Sequence, residues 1–282
     1  MPEINWYPGH MAKTRRLLEE QLRGVDAVIE LCDARAPMAT RNPELEKLCK
    51  SKSRFLALNK ADLADDAVTK EWVARFQREG TPAVRFQAVG GGGRKEMFAL
   101  IECAAKPAVE RMKARGAMKT ARVMVVGIPN VGKSTFINRL RGSGIAKAGD
   151  RPGVTRASQW VKIGPYLELL DTPGMLWPKL ENQEQAKILA YIGSVKDEIL
   201  DTEGLACDLM RMLADCTPQA LAARYKLPEG FAEMSGPELL EAACKGRGWL
   251  LSGGRFDTSR ASALVLDEFR AGKIGRITLE KP

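Results

Sequence analysis

The sequence has few of the residues that hold metal ions or disulfide frameworks. It contains one histidine and six cysteines in 282 residues, and no two cysteines form a C-x-x-C pair. Structural zinc sites draw their ligands from closely spaced cysteines and histidines, and small secreted domains rely on paired cysteines. The composition therefore argues against both kinds of site and predicts a protein of a reducing compartment.

The sequence also lacks a long apolar stretch. Its longest apolar runs fall far short of the roughly 20 residues that a membrane-spanning helix needs. The first eight residues, Met-Pro-Glu-Ile-Asn-Trp-Tyr-Pro, lack the basic and then apolar build of a signal peptide. We therefore expect a cytoplasmic protein with no membrane partner.

Charge is unevenly distributed along the chain, whose formal net charge is +9. Residues 184–244 contain 5 basic and 11 acidic side chains, whereas residues 245–282 contain 8 and 4. Residues 1–183 consequently carry a net charge of +11. The basic first part and the basic tail permit a polyanionic partner, and the acidic middle argues against phosphate contact there.

Strand patterns alternate with helical patterns over the first 180 residues, which we predict to form one domain, 1–180. Apolar runs rich in branched residues suggest strands at 25–31, 54–58, 83–88, 123–126, 158–163 and 166–170. This alternation predicts an α/β domain with a doubly wound, mainly parallel sheet. Over 181–282 the branched runs disappear, so we predict a small, mostly α-helical C-terminal domain.

A phosphate-binding loop is predicted where the strand at 123–126 meets a helical pattern. The intervening sequence, Gly127-Ile-Pro-Asn-Val-Gly-Lys-Ser134, has the form G-x-x-x-x-G-K-S. Backbone N–H groups of such a loop and the helix N-terminus attract phosphate, the lysine reaches the β- and γ-phosphates, and the serine hydroxyl binds Mg²⁺. The predicted nucleotide contacts here are Asn130, Val131, Gly132, Lys133, Ser134 and Thr135.

The sequence Asn59-Lys60-Ala61-Asp62 follows the strand at 54–58 and has the form N-K-x-D. A carboxylate at Asp62 can accept hydrogen bonds from N1–H and N2–H₂ of guanine, a pair of donors that adenine lacks. Asn59 would connect this loop to the phosphate loop, and the Lys60 stem would cover the base. The amide of Ala88 is the candidate contact to guanine O6. The motif predicts GTP and GDP as ligands, and not ATP.

The sequence Asp171-Thr-Pro-Gly174 has the form D-x-x-G and follows the last predicted strand. Asp171 would hold Mg²⁺ through water, and the Gly174 amide would face the γ-phosphate. Thr155, which lies between the phosphate loop and this motif, would supply a second hydroxyl to Mg²⁺. Each motif follows a strand, as expected for ligands that bind at the carboxyl ends of a parallel sheet.

The order of these motifs is permuted, because N-K-x-D precedes the phosphate loop instead of following it. Together with Trp6-Tyr-Pro-Gly-His-Met11, Asp33-Ala-Arg35 and the tail at 268–276, the set resembles the circularly permuted GTPases, in particular ribosome biogenesis GTPase A, the YlqF family. The resemblance covers nearly the whole chain and implies a GTP-hydrolysing assembly factor for the precursor of the large ribosomal subunit, whose nucleotide state controls docking and release. It also implies that the C-terminal domain, 181–282, contacts RNA or the ribosome. We expect the protein to act as a monomer. One departure lies in the base-supporting loop, which usually reads Ser-Ala and here reads Gln87-Ala88.

Two further roles are implied by the resemblance. Many GTPases carry a water-orienting glutamine after D-x-x-G, where this chain has Met175, and the family match implies that His10 substitutes for it. The alternative is a capping or surface histidine. Asn130 resembles the residue with which related GTPases hold K⁺ beside the phosphates. The alternative is a loop asparagine that tolerates an unusual backbone angle.

RNA contacts are predicted for basic residues near the two ends of the chain, and the alternative is that they form solvated surfaces. They are Lys13, Arg15, Arg16, Arg270, Lys273 and Arg276. Two other functions stay open. One is a GTP-gated RNA or ribosome-binding scaffold with incidental hydrolysis, which the missing glutamine favours. The other is a GTPase of tRNA modification or transport. The sequence has no membrane-spanning segment and no C-terminal cysteine nucleophile, and both absences argue against it.

Overall fold

The structure is a computed structural model that describes residues 11–49, 52–116, 118–142, 158–174, 182–195 and 201–282, with backbone only for 11–15 and Glu44. These residues form two compact units, one built mainly from residues up to Lys179 and one from Leu180–Leu279. The first unit contains, in chain order, α1 (Met11–Arg23), β1 (Ala27–Asp33), α2 (Pro43–Leu48), β2 (Ser53–Asn59), α3 (Asp66–Arg78), β3 (Ala83–Arg85), α4 (Arg94–Lys113), β4 (Ala121–Gly127), α5 (Lys133–Arg141), β5 (Gln159–Gly164) and β6 (Leu167–Asp171).

The strands form one sheet in the order β3-β2-β1-β4-β6-β5. Neighbouring strands run parallel except β5, which pairs antiparallel with β6 at the edge. The strand before the phosphate loop, β4, therefore lies in the middle of the sheet although it comes fourth in sequence. The predicted doubly wound, mainly parallel sheet is confirmed.

Helices cover both faces of the sheet, as alternating strand residues require. On one face Leu18 and Leu22 of α1 pack in a cluster with Val28, Met124 and Val126. On the same face, Trp72 and Phe76 of α3 pack against β1 and β2. The neighbouring β4 residues, Val123 and Val125, are fully buried on the other face, where α4 and α5 contact the sheet. The core thus holds the strand ends in fixed register below the loops that follow them.

The third strand is shorter than predicted. It ends at Arg85, whereas the apolar pattern extends to Ala88. The cause is the Asn59 side chain, whose Oδ1 accepts a hydrogen bond from the Ala88 N–H at 3.2 Å. The chain therefore leaves the ladder and passes over the end of β2.

The second unit is helical, as predicted from the loss of strand patterns. Its elements are α6 (Gln183–Tyr191), α7 (Thr202–Cys216), α8 (Pro218–Tyr225), a 3₁₀ turn (Phe231–Glu233), α9 (Gly236–Arg247) and α10 (Thr258–Arg270). Helix α7 packs against α6, α8, α9 and α10 and so forms the centre of the unit. Glu268 of α10 accepts hydrogen bonds from the Arg224 guanidinium of α8, which ties these helices together. Among the described helices, none is both long and apolar enough to cross a membrane.

The end of the chain departs from the predicted domain 181–282. Glu280–Pro282 belong to the first unit, not to the helical one. The physical reason is the Glu280 carboxylate, which accepts hydrogen bonds from the backbone N–H groups of Met38 and Ala39 in the loop after β1. The sequence around Glu280 carries no pattern that would predict this contact.

Candidate functional site

The phosphate loop connects the end of β4 to the start of α5 and is shaped by a tight approach at Gly132. Gly132 has φ 96°, in the left-handed region, and a Cβ there would lie 2.6 Å from Asn59 Nδ2. Any other residue at this position would therefore strain the backbone, and its side chain would also collide with Asn59 at the end of β2. Helix α5 begins at Lys133, so its first N–H groups have no intrahelical acceptor and face the loop.

Lys133 is buried inside the loop with 7% of its surface exposed. Its Nζ donates hydrogen bonds to the carbonyl oxygens of Gly127 at 3.1 Å and Ile128 at 2.9 Å. Burial lowers the pKa of Lys133 to about 8, and the nearby charge of Asp171 opposes that shift only in part. The ammonium is thus held inside the loop in a poorly solvated position, where an anion would stabilise it.

The D-x-x-G segment lies directly beside the phosphate loop. The Ser134 hydroxyl donates to Asp171 Oδ2 at 3.3 Å, and Asp171 is only 3% exposed. The Thr172 hydroxyl, which the sequence did not single out, donates to the Val125 carbonyl at 2.7 Å and fixes the segment to β4. A Cβ on Gly174 would lie 2.8 Å from the Pro129 Cα, so the backbone at 174 can approach the loop only as glycine.

The oxygen pair of Ser134 and Asp171 fits a magnesium ion. Among the described residues, no three His, Cys, Asp or Glu side chains are grouped to hold a metal by themselves. Mg²⁺ in nucleotide sites usually keeps several waters and combines one or two protein oxygens with substrate phosphates. A hydroxyl and a carboxylate at hydrogen-bond distance beside a phosphate loop meet that requirement. Thr155, the other predicted ligand, lies outside the described residues.

The N-K-x-D loop is joined to the phosphate loop by two side chains. Asn59 Nδ2 donates to the Val131 carbonyl at 2.9 Å, as expected from the sequence. Lys60 has φ 58°, and its Nζ donates to the Asn130 carbonyl at 2.8 Å. The two loops therefore form one hydrogen-bonded surface across the ends of β2 and β4.

The two residues predicted to recognise the base, Asp62 and Ala88, have different surroundings in the structure. Asp62 is half-buried on the N-K-x-D loop. The Ala88 amide points at Asn59, so the structure gives it a partner other than the predicted guanine O6. The guanine contact of Ala88 stays a prediction, and the geometry assigns this residue to holding the loop.

A buried ion-pair network lies behind the N-K-x-D loop. Asp33 at the end of β1 is fully buried and accepts from Arg35 Nε at 2.9 Å and Nη2 at 2.8 Å. Lys60 Nζ lies 3.0 Å from its Oδ2. Burial alone would raise the pKa of Asp33, but the charges of Arg35 and Lys60 and the hydrogen bonds from Arg35 outweigh it and hold that pKa well below its usual value. Asp33 is therefore a permanent anion that orients Lys60.

Two arginines that the sequence reasoning missed fix the loop containing Ala88 and the end of α5. Arg139 of α5 donates through Nε to the Ala88 carbonyl at 2.7 Å and through Nη2 to the Val89 carbonyl. Arg94, at the start of α4, donates to the Leu140 carbonyl at 3.0 Å. The only sequence signal for Arg139 was its place in the last turn of a helix, which is too common to indicate such a role.

Asn130 has φ 60° and is exposed. This left-handed conformation is one that asparagine tolerates well, and it accounts for the residue by itself. The K⁺ contact of Asn130 stays a prediction. Thr135 lies in the first turn of α5 and is half-buried.

The predicted RNA contacts fall into three groups. Arg16 of α1 and Lys273 and Arg276 of the tail are exposed. Arg270 instead donates to the carbonyl oxygens of Tyr191 at 3.1 Å and Ala190 at 2.8 Å at the end of α6, so its guanidinium serves packing within the helical unit. Lys13 and Arg15 lie in α1, but their side chains are outside the described part of the chain, as is the whole of His10.

Known proteins resemble this chain over most of its length. A family model described as a 50S ribosome-binding GTPase matches residues 122–225. Ribosome biogenesis GTPase A of Bacillus cereus is 47% identical over 280 residues, which cover 99% of this chain and 94% of that protein. The chain belongs to the ribosome biogenesis GTPase A family. Membership makes it a GTPase of ribosome biogenesis, so the predicted enzyme class and guanine nucleotide are confirmed.

Solved structures of the ribosome biogenesis GTPase A family agree with the fold. The structure of GDP-bound TM YlqF matches this chain with a TM-score of 0.70 and 30% sequence identity. The match covers 95% of this chain and 99% of that protein's chain. GNP-bound YlqF from T. maritima matches with a TM-score of 0.64 at 30% identity, covering 96% and 98%. The circularly permuted GTPase fold with a helical C-terminal unit is confirmed.

Lys133→Met should leave nucleotide-free stability unchanged or higher, because it removes a poorly solvated ammonium from the interior. The same change should weaken GDP binding by about 100-fold, since charge-assisted hydrogen bonds to phosphate are lost. The measurements are thermal melting without nucleotide and the GDP Kd. Lys162→Met, on the exposed strand β5, is the control for removal of a lysine charge.

The pH dependence of stability gives a second check on Lys133. Its pKa is about 8 in the folded chain and 10.5 in a model compound, so between these values the unfolded chain binds more protons. The contribution of Lys133 to the free energy of unfolding should therefore increase as the pH rises across that window. The Lys133→Met variant should not show this increase. A lower nucleotide-free melting temperature, or an unchanged GDP Kd, would show that Lys133 is a structural residue.

Proposed function

We propose that this GTPase binds the precursor of the large ribosomal subunit as a monomer and that its nucleotide state controls docking and release. The observation that carries the proposal is the joined surface of the phosphate loop, the N-K-x-D loop and the D-x-x-G segment. The description of the matching family model, a 50S ribosome-binding GTPase, supports the large subunit as the partner. The exposed Lys273 and Arg276 support contact with RNA phosphates.

Guanine nucleotide would bind across the ends of β2, β4 and β6. Lys133 and the N-terminus of α5 would take the phosphates, with contacts from Asn130, Val131, Gly132 and Thr135. Ser134, Asp171 and Thr155 would hold Mg²⁺, which when bound neutralises the charge developing on the phosphates. Gly174 would donate its amide to the γ-phosphate, and Asp62 would accept from the base while Lys60 covers it.

This arrangement would let the bound nucleotide change the conformation of the segment that follows Gly174. In sequence, Gly174 is followed by residues 175–182 and then by α6 of the helical unit, because the permutation places the N-K-x-D strand before the phosphate loop. A γ-phosphate that orders Gly174 would therefore bias that segment, whereas GDP would not. Switching of this kind requires differential contacts in the two nucleotide states, and the Gly174 amide is the proposed difference.

Asp62→Asn should reduce GTP affinity about 10- to 100-fold, because an amide N–H₂ replaces an acceptor facing the guanine donors. Xanthosine triphosphate should regain part of the binding, since xanthine presents an acceptor where guanine donates. The measurement is the Kd of both nucleotides. Asp65→Asn is a matched control: it removes the same charge three residues away, and asparagine can replace Asp65 as the cap that accepts from the Val68 N–H.

If Asp62→Asn binds GTP as the parent does, Asp62 is not the base-recognition residue. Equal losses in Asp62→Asn and Asp65→Asn would point to a general electrostatic effect and would also contradict the assignment.

Docking on the large-subunit precursor can be tested by sedimentation of a cell extract that contains the tagged protein. With a non-hydrolysable GTP analogue the protein should sediment with particles of large-subunit size, and with GDP it should remain near the top of the gradient. Lys273→Glu/Arg276→Glu should reduce the sedimenting fraction several-fold, because reversed charges repel RNA phosphate. Sedimentation with the small subunit, or no dependence on nucleotide, would contradict the proposal.

Catalysis is proposed to need a group from outside the D-x-x-G segment, since Met175 cannot orient water. We assign this role to His10, an imidazole able to accept a proton near neutral pH. His10→Ala should lower single-turnover GTP hydrolysis with precursor subunits by about 10²–10⁴-fold, and it should leave nucleotide affinity nearly unchanged. Parent-like stimulated turnover would reject His10. Loss of turnover on replacing K⁺ by Na⁺ would then favour the proposed K⁺ contact of Asn130.

The alternative is a GTP-gated scaffold whose hydrolysis is incidental, and Met175 favours it. Strong stimulation of turnover by the precursor would exclude that alternative. Stimulation that is weak in parent and His10→Ala alike would support it.

A further inference from the structure

Glu280, three residues from the end of the chain, is bound by three groups of the first unit. Its Oε2 accepts from the Met38 N–H at 2.7 Å, and its Oε1 accepts from the Ala39 N–H at 2.8 Å. Its own backbone carbonyl accepts from Trp72 Nε1 at 3.1 Å. Each carboxylate oxygen thus takes one of two consecutive amides, which is the geometry of a specific anion-binding turn.

The contact is partly shielded from water, with the exposed Met38 on one side and buried residues on the other. Burial raises the pKa of Glu280, and the two amide hydrogen bonds offset that shift only in part. Ala39 is buried, and Trp72 is a core residue of α3 with 1% of its surface exposed. A partly shielded, charge-assisted pair of hydrogen bonds is stronger than a single neutral hydrogen bond on the surface. The end of the chain is therefore fastened at a defined point.

The loop that receives Glu280 is continuous with the buried network behind the nucleotide site. Thr40 follows Ala39, and its Oγ1 accepts from the Asp33 N–H at 3.0 Å. The Asp33 carboxylate contacts Lys60 Nζ at 3.0 Å, and Lys60 donates to the Asn130 carbonyl at 2.8 Å. Five short steps thus lead from Glu280 to the phosphate loop.

The same loop also contacts the N-K-x-D loop through the backbone. The N–H of Ala34 donates to the Asn59 carbonyl at 2.8 Å. Thr40 fixes the other end of the loop by donating to the Ala36 carbonyl at 2.7 Å. The segment from Ala34 to Thr40 is therefore tied to Asn59 at its start and to Glu280 near its end.

We infer that Glu280 is a positioning residue for the nucleotide site: its carboxylate fastens the chain end to the loop after β1 and so holds Asp33 and Lys60 in the geometry that guanine nucleotide uses. The inference rests on the proposed nucleotide site. Loss of the Glu280 contacts would loosen the loop after β1 and, through Thr40 and Asp33, the position of Lys60 in the N-K-x-D loop. Residues 280–282 thus contribute to nucleotide affinity from within the first unit.

The test compares Glu280→Ala with Lys281→Ala, a neighbouring exposed residue on the same tail. Hydrogen–deuterium exchange is measured in the nucleotide-free protein, together with release of a fluorescent GDP analogue and steady-state GTP hydrolysis. In Glu280→Ala, exchange at Met38 and Ala39 should be at least about tenfold faster, because both amides lose a charge-assisted acceptor. GDP release should be several-fold faster. KM for GTP should rise while turnover at saturating GTP is unchanged, since the chemistry is not touched.

Glu280→Gln provides a graded variant that also decides the matter if Glu280→Ala does not fold. Its single amide oxygen can accept from one of the two N–H groups, so exchange and GDP release should lie between those of parent and Glu280→Ala. Lys281→Ala should match the parent in every measurement.

Three results would overturn the inference. Unchanged exchange at Met38 and Ala39 in both Glu280 variants would show that the contact does not form in solution. Faster exchange with parent-like GDP release and KM would show a local role without coupling to the site. If the parent itself binds no guanine nucleotide, the proposed function fails, and the coupling fails with it. Exchange data from the nucleotide-free protein distinguish this third case from the first.

Discussion

The buried carboxylate of Asp33 is the constraint on which the geometry of the nucleotide site depends. An unpaired anion in the interior of a sheet would be strongly unfavourable, so Arg35 and Lys60 must stay in contact with it. Removing one member of such a group typically costs about 3–5 kcal/mol, because it leaves a buried charge uncompensated. Lys60 is consequently held with its ammonium between Asp33 and the Asn130 carbonyl, and the phosphate loop is held through it.

The parallel sheet makes this arrangement possible even though the motifs are permuted in sequence. In the β1–β2 pair Asp33 lies opposite Asn59, and in the β1–β4 pair Leu31 lies opposite Gly127. Loops that follow these strands therefore emerge at one edge regardless of the order in which the chain visits them. The permutation changes which element follows each loop in sequence, and it leaves the loops together at the same edge of the sheet.

The sequence predicts those parts of the site that depend on local chemistry. The phosphate loop, N-K-x-D and D-x-x-G are short motifs whose residues act where they stand, and the sheet follows from the alternation of strand and helix patterns. The prediction of a strand over 83–88 was wrong at its C-terminal end, because the Ala88 N–H donates to the Asn59 side chain at the end of another strand. Local periodicity contains no information about that competitor.

Several contacts that the sequence did not predict join residues far apart in the chain. Arg139 reaches Ala88 across 51 positions, and Glu280 reaches Ala39 across 241. Arg270 was interpreted as an RNA contact because it lies in a basic tail, yet it donates to the end of α6. A charge pattern cannot distinguish a guanidinium that faces solvent from one that serves as a donor to distant carbonyl oxygens.

Burial prepares the site for an anion. Lys133 has lost most of its contact with water, and two carbonyl oxygens replace that hydration only in part, as the lowered pKa shows. The low local polarity that disfavours the lone ammonium also strengthens its attraction to phosphate, because Coulomb energy rises as the effective dielectric constant falls. The nearby Asp171 carboxylate limits this effect, since its negative charge partly satisfies the ammonium. A divalent cation on Ser134 and Asp171 would withdraw that carboxylate from Lys133 and leave the ammonium to the phosphates. The cation and the nucleotide should therefore bind cooperatively, because each removes a charge that opposes the other.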